Sequence, residues 1–222
     1  SPLADGKIEI KYMTTKEEDI LMSENLIKKG VVIDKLLDSL IVTKGVKQEH
    51  LLLGDKNAVL VASRILAYGP DYTCEVQHPK DPDQQVEHTF DLSKCPFKTI
   101  SEDVNYTDNS FEFTTPVGKT KVKFKLLTGV EEKQIEKDLE QSKKFGYNTE
   151  ISTRLRYTII GVDGDDTPET ITAFSQNMLA RDSMALRNYI QEISPDIDLT
   201  SEIEIGGESV SVSIPLTVEF FW

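Results

Sequence analysis

Apolar and polar residues alternate strictly through Lys7-Ile8-Glu9-Ile10-Lys11-Tyr12, the period of a half-buried strand. Thr15 followed three residues later by Glu18 is a capping-box signature for a helix opened by Thr14 or Thr15. Glu17, Glu18 and Asp19 fall in its first turn, where the helix dipole favours acids. Ile20, Leu21 and Met22 supply its apolar face, and Gly30 marks a stop. Val32, Ile33, Leu36, Leu37 and Leu40 then recur at helical spacing. A third helix is expected after Leu51-Leu52-Leu53, with Asp55 as its N-cap, Val59, Leu60, Ile65 and Leu66 buried, and Tyr68-Gly69-Pro70 as its end.

The period changes from about Tyr72. Tyr72, Cys74, Val76 and His78 alternate on one face, Pro79 to Asp83 turns the chain, and Val86, His88 and Phe90 alternate on the return, which predicts a hairpin. Phe111-Glu112-Phe113 and Thr120 to Leu127, around Pro116-Val117-Gly118-Lys119, predict a second one. Glu131 to Phe145 is an acid-first, lysine-last helix whose apolar positions are sparse, so most of it faces solvent or a partner. Ile151 to Ile160 has helical spacing, although Thr158-Ile159-Ile160 suits a strand equally. Asp163 to Asp166 is a turn, and Thr167-Pro168-Glu169 a helix entry with proline at the first position. Asp182 or Ser183 is expected to cap a further helix that ends before Pro195. Glu202 to Ile205, Gly206-Gly207 and the alternation from Ser209 to Phe220 predict a closing hairpin that leaves Phe220, Phe221 and Trp222 as a bulky apolar end.

The expected class is therefore α+β: a helical part, a small antiparallel hairpin sheet, C-terminal helices and a closing hairpin. The expected organisation is a single domain over residues 1–222, with a β-hairpin subdomain at 71–128 inserted between helical parts. A chain of 222 residues can bury an adequate core. Its 25 basic and 38 acidic side chains give a net charge of −13, which opposes binding to nucleic acid and to anionic membrane surfaces. The longest apolar runs, such as Ala58 to Ala62, fall far short of the roughly 20 residues of a membrane span. No secretory signal pattern opens the chain, and Ser1-Pro2-Leu3 without Met points to a start that lies upstream or was trimmed. Two cysteines make no disulfide framework and suit a reducing cytosol.

Candidate chemistry is thin. Cys74, His78, His88 and Cys95 can be drawn as a zinc quartet, but their spacings match no compact knuckle, and all but Cys95 suit inward hairpin positions. Asp163-Gly164-Asp165-Asp166 lacks the closing Glu and the glycine placement of a calcium loop. Leu53-Gly54-Asp55-Lys56-Asn57 lacks the Gly-Lys-Ser/Thr of a phosphate loop, and His50 has no evident nucleophile partner. The Glu17-Glu18-Asp19 carboxylates are ordinary first-turn helix acids before they are acid–base catalysts. No cofactor and no catalysis are expected. Arg181-Asp182-Ser183 with Arg187 could set an interface, against the alternative of a surface salt bridge worth under about 1 kcal/mol. The apolar end Phe220-Phe221-Trp222 is the other interface candidate, because such surface is costly to leave in water.

The run Ile8 to Thr14 with Lys16 to Leu21 resembles a signature of the baseplate proteins of T-even-type contractile-tailed phages, a family that includes the hub assembly proteins. The order of later segments also fits: Leu26 to Gly30, Leu53-Gly54-Asp55, Ala62 to Ile65, Tyr68-Gly69, Phe124 to Thr128, Asp182 to Arg187, Ile214-Pro215 and Phe220 to Trp222. Each word is weak alone; their order across nearly the whole chain is fairly specific. Some relatives carry a paired-cysteine knuckle at the first hairpin tip, where this chain has His78-Pro79-Lys80-Asp81. The resemblance implies a non-catalytic role in building the hub of a bacteriophage tail baseplate. Its partners would be other baseplate and hub proteins, or further copies of itself. The place implied is the virion tail baseplate, with the host cytoplasm during assembly. A transient, non-virion assembly factor is the alternative, and a cytosolic acid–base enzyme the weaker one.

Overall fold

The computed structural model describes residues 7–78, 81–98 and 104–221, and only the backbone of His78, Pro82, Asp83 and Gln84. The fold is α+β, with eight α-helices among the described residues and antiparallel sheets of two or three strands. The described residues form two compact units: a first of residues 7–48, 54–98 and 196–221, and a second of residues 49–53 and 104–195.

The first unit opens without the predicted strand. Among the described residues, residues 7–12 make one antiparallel bridge, Ile10 to Ile41, and no strand. Helix α1 (Thr15–Leu21) is capped by Thr14 with Glu17, one residue earlier than the expected Thr15 and Glu18. A short α2 (Glu24–Lys28) follows, and Gly30 at φ +67° reverses the chain into α3 (Val32–Leu40). Val32, Leu36, Leu37 and Leu40 of α3 are buried, as an apolar stripe of period 3.6 requires. Helix α4 (Leu53–Tyr68) starts two residues before Asp55, so Asp55 lies in its first turn and is not the N-cap. The helix stops where the Gly69 amide, at φ +88°, donates to the Ile65 carbonyl.

Strands β1 (Asp71–His78) and β2 (Asp81–Asp91) form the first hairpin, pairing Tyr72 with Phe90, Cys74 with His88 and Val76 with Val86. The closing hairpin joins β6 (Thr200–Ile205) to β7 (Glu208–Ser213). It ends at Ser213 and does not run to Phe220; residues Val218–Phe221 form a 3-10 turn. Leu21, Leu36, Leu37, Leu40, Leu92 and the C-terminal Phe220 and Phe221 share one buried core with the inward faces of both hairpins.

In the second unit, β3 (Phe111–Thr114), β4 (Lys121–Phe124) and β5 (Ile159–Val162) form an antiparallel sheet in that order. The Ile159-Ile160 stretch is thus strand, immediately after α6 (Glu150–Thr158). Helix α5 (Gly129–Lys144) precedes α6, and α7 (Pro168–Asn177) and α8 (Ala180–Ile193) follow. Phe111, Phe124, Leu155, Ile159 and Leu186 fill the core, with Tyr189 edge-on to Phe124 at 6.0 Å between ring centres.

Candidate interaction surface

The sequence candidates are scattered or covered. Phe220 and Phe221 are 0% and 1% exposed, so these two side chains pack into their own unit. Phe220 meets Tyr72 edge-on at 5.0 Å, and its carbonyl accepts from Arg64 Nε at 3.0 Å. Arg64 is itself buried and also donates to the Gly69 and Asp71 carbonyls, with its guanidinium 4.9 Å from the Tyr68 ring centre. Three carbonyls and two aromatic faces solvate that charge, and burial lowers its pKa from the ordinary guanidinium value. The sequence showed the apolar end but not the arginine and tyrosine that receive it. Trp222 lies outside the described residues.

Asp182 and Ser183 are buried and do not cap α8, which begins at Ala180 with Leu179 as N-cap. The Asp182 carboxylate instead accepts the amides of Val117 at 2.8 Å and Gly118 at 2.9 Å, clamping the β3–β4 turn onto α8. A Cβ on Gly118 would stand 3.1 Å from Asp182 Oδ2, so glycine lets the turn approach that closely. Arg181 and Arg187 are exposed on α8, and neither forms an ion pair among the described residues. Six residues of α-helix set them about 120° apart, so they do not make one patch.

Cys74 and His88 are register partners, and His88 packs edge-on against Phe90 at 4.7 Å. Burial raises the Cys74 thiol, and burial followed by the Asp198 and Asp91 charges raises Cys95, which keeps both from being thiolates at neutral pH. The described residues hold no group of three His, Cys, Asp or Glu placed to share a metal ion, and the side chain of His78 lies outside them.

The surface that sequence reasoning located only as a helix in search of a partner lies along α5. Thr128 caps α5, and Ile135 alone among its large apolar side chains is fully buried. The helix ends on Phe145, Gly146 turns the chain at φ +78°, and Phe145 and Tyr147 stand 78% and 69% exposed. They border an open cleft of about 510 Å³ between α5, α6 and α7, with Asp138, Ser142, Thr149 and Arg156 on its walls. Arg156 pairs with Asp138, which also accepts the Tyr157 hydroxyl at 2.9 Å. Burial and then that hydrogen bond raise the Tyr157 hydroxyl, so it remains a donor at neutral pH. Arg154 pairs with Glu132 at 3.0 Å, tying α6 to α5. The cleft thus has a wall held by charge pairs, hydroxyl and amide hydrogen-bonding groups, and an aromatic rim.

The model of the family described as T4 bacteriophage base plate protein matches residues 1–222. The chain belongs to that family. It is a baseplate protein of the bacteriophage tail. No curated protein and no solved structure matches it. Among the described residues no helix is long and apolar enough to cross a membrane.

Proposed function

We propose that this baseplate protein is a structural subunit of the baseplate hub of a contractile tail, acting through protein contacts rather than by catalysis. The observation that supports the reading most directly is the aromatic rim of Phe145 and Tyr147 beside the α5–α7 cleft. Burying one large aromatic or aliphatic side chain is worth about 1.5–3 kcal/mol, and tyrosine and phenylalanine are enriched where proteins meet. The hydroxyl and amide groups of the cleft suit the backbone of a neighbouring hub polypeptide. The net charge of −13 favours a partner with a basic face and opposes nucleic acid and anionic lipid.

The test is complementation of a phage lacking this gene with Phe145→Ser/Tyr147→Ser protein, alongside wild type. Both side chains are mostly solvated, so the variant should fold with wild-type stability, checked by circular dichroism. The expected result is soluble, folded variant protein with few completed baseplates. Normal baseplate yield would remove the cleft from the reading. Normal assembly with the wild-type protein found only in intermediates, and not in tails, would favour a transient assembly factor.

A further inference from the structure

We infer that the chain contains two copies of one module, an extended segment, two helical stretches and a returning extended segment that bridges back to the first, one in each unit and built on the same Lys–Thr–Glu joint. The first copy covers residues 8–42 and the second residues 122–162. Both begin with an apolar-polar-apolar-Lys run, Ile8 to Lys11 and Val122 to Lys125, followed by Thr three residues later and a pair of glutamates three beyond that. The spacing Lys-x-x-Thr-x-x-Glu-Glu is the same at Lys11, Thr14, Glu17, Glu18 and at Lys125, Thr128, Glu131, Glu132.

The three-dimensional match goes beyond a shared helix cap. Lys11 Nζ donates to Glu17 Oε1 at 2.8 Å, and Lys125 Nζ to Glu131 Oε1 at 2.6 Å. The Thr14 amide and hydroxyl reach Glu17 Oε2 at 2.9 and 2.7 Å; those of Thr128 reach Glu131 Oε2 at 2.9 and 2.5 Å. The lysine amide then finds the last residue of the second helix in each copy: Lys11 to the Leu40 carbonyl at 3.0 Å, Lys125 to the Thr158 carbonyl at 2.9 Å. That second helix has nine residues in both, α3 and α6, and is entered through a glycine of positive φ, Gly30 at +67° and Gly146 at +78°. It leaves through an isoleucine of nearly equal backbone angles, Ile41 (φ −72°, ψ 120°) and Ile159 (φ −77°, ψ 130°). Each isoleucine pairs antiparallel with the residue just before the lysine, Ile41 with Ile10 and Ile159 with Phe124. The buried side chains correspond too: Leu21 with Ile135 and Leu37 with Leu155, all at most 2% exposed. In chain order, each module is followed by further helix and then a two-stranded hairpin, α4 with β1–β2 and α7–α8 with β6–β7.

The physical logic of the joint is common to both copies. One carboxylate closes the helix start, and the same group anchors the lysine of the incoming extended segment, so segment and helix are fixed by a single charge. The copies differ where they were free to diverge. Glu17 gains a fourth donor, the Ser39 hydroxyl at 2.6 Å, and the first helix breaks into α1 and α2 at Met22-Ser23. In the second copy the first helix runs unbroken for 16 residues to Lys144, just before Phe145. The inference stands on these two segments and does not depend on what the cleft beside Phe145 binds.

The test uses the full chain and site-resolved amide exchange in Glu17→Gln and Glu131→Gln. The expected result is that each variant speeds exchange of its own threonine and lysine amides, Thr14 and Lys11 or Thr128 and Lys125, by about tenfold or more, as loss of a charge-assisted bond makes in a local opening equilibrium. The other module should be left unchanged. A lysine amide that does not respond in one of the two variants would overturn the shared joint. Should a variant fail to fold, an experimental structure of the wild type decides: Thr14, Gly30 and Ile41 must superpose on Thr128, Gly146 and Ile159. Any other register overturns the duplication.

Discussion

Phe220→Ala is the substitution that separates a buried chain end from a partner-seeking one. Phe220 is 0% exposed, stacked edge-on against Tyr72 at 5.0 Å and Phe221 at 5.5 Å, and its carbonyl holds the buried Arg64. Truncating a core phenylalanine costs about 3–5 kcal/mol through lost transfer energy and the cavity left behind. Of that, each aromatic pair accounts for about 0.5–1.5 kcal/mol beyond its area. The backbone carbonyl to Arg64 survives the substitution, so the loss should stay inside this range and not rise to that of an unpaired buried charge. The assay is urea unfolding followed both by circular dichroism and by the fluorescence of Trp222, the single tryptophan and the neighbour of the pair in sequence. We expect the midpoint to fall with little change in slope, giving a loss of about 3–5 kcal/mol for the unit that contains Phe220. A loss below about 0.5 kcal/mol, the range of ordinary surface positions, would refute the burial and return the C-terminus to the list of docking surfaces.

Three further outcomes concern the carboxylates Glu17, Glu131 and Asp182. Burial alone would push the Glu17 carboxyl up, but its bonds from Lys11, Ser39 and Thr14 outweigh this and hold it well below the ordinary carboxylate range. Its contribution is therefore complete above the unfolded value near 4.5 and is lost as pH falls toward the depressed folded value. Acid titration of stability should show this loss below about pH 4.5 in wild type and a shallower loss in Glu17→Gln, a variant about 2–3 kcal/mol less stable at pH 7; equal acid slopes would contradict it. Glu131 is held down to about 2, with burial opposing and Lys125 and Thr128 prevailing, so Glu131→Gln should flatten the same region of the titration. Asp182→Ala should cost about 2–3 kcal/mol and speed amide exchange at Val117 and Gly118, whereas unchanged exchange there would mean the clamp does not hold the turn.

Local signals in the sequence carried most of the elements, and long-range contacts decided what they could not. Thr14 with Glu17 and Thr15 with Glu18 both satisfy the capping-box spacing; the true cap is chosen by Lys11 and Ser39, which converge on Glu17. The Ile159-Ile160 stretch suited helix and strand equally until β4 supplied a partner. Asp182 carries a strong local N-cap signal, yet its partners lie in a turn some 65 residues earlier, a pairing no window of sequence contains. The bulky end at Phe220 and Phe221 was legible as apolar but not as buried, because the side chains that enclose it, Tyr72 and Arg64, come from the first third of the chain. The α5 helix was legible as lightly packed from its few apolar residues, while its aromatic rim depended on the turn at Gly146. The words that resemble the family run in order from Ile8 to Trp222, nearly the whole chain, and the family model matches residues 1–222.

The most direct test of the central claim is quantitative mass spectrometry of purified virions and of tail-assembly intermediates from infected cells. A structural hub subunit predicts this protein in finished tails at a fixed, stoichiometric ratio to other baseplate proteins. Its presence in intermediates alone, with none in finished tails, would contradict the structural role.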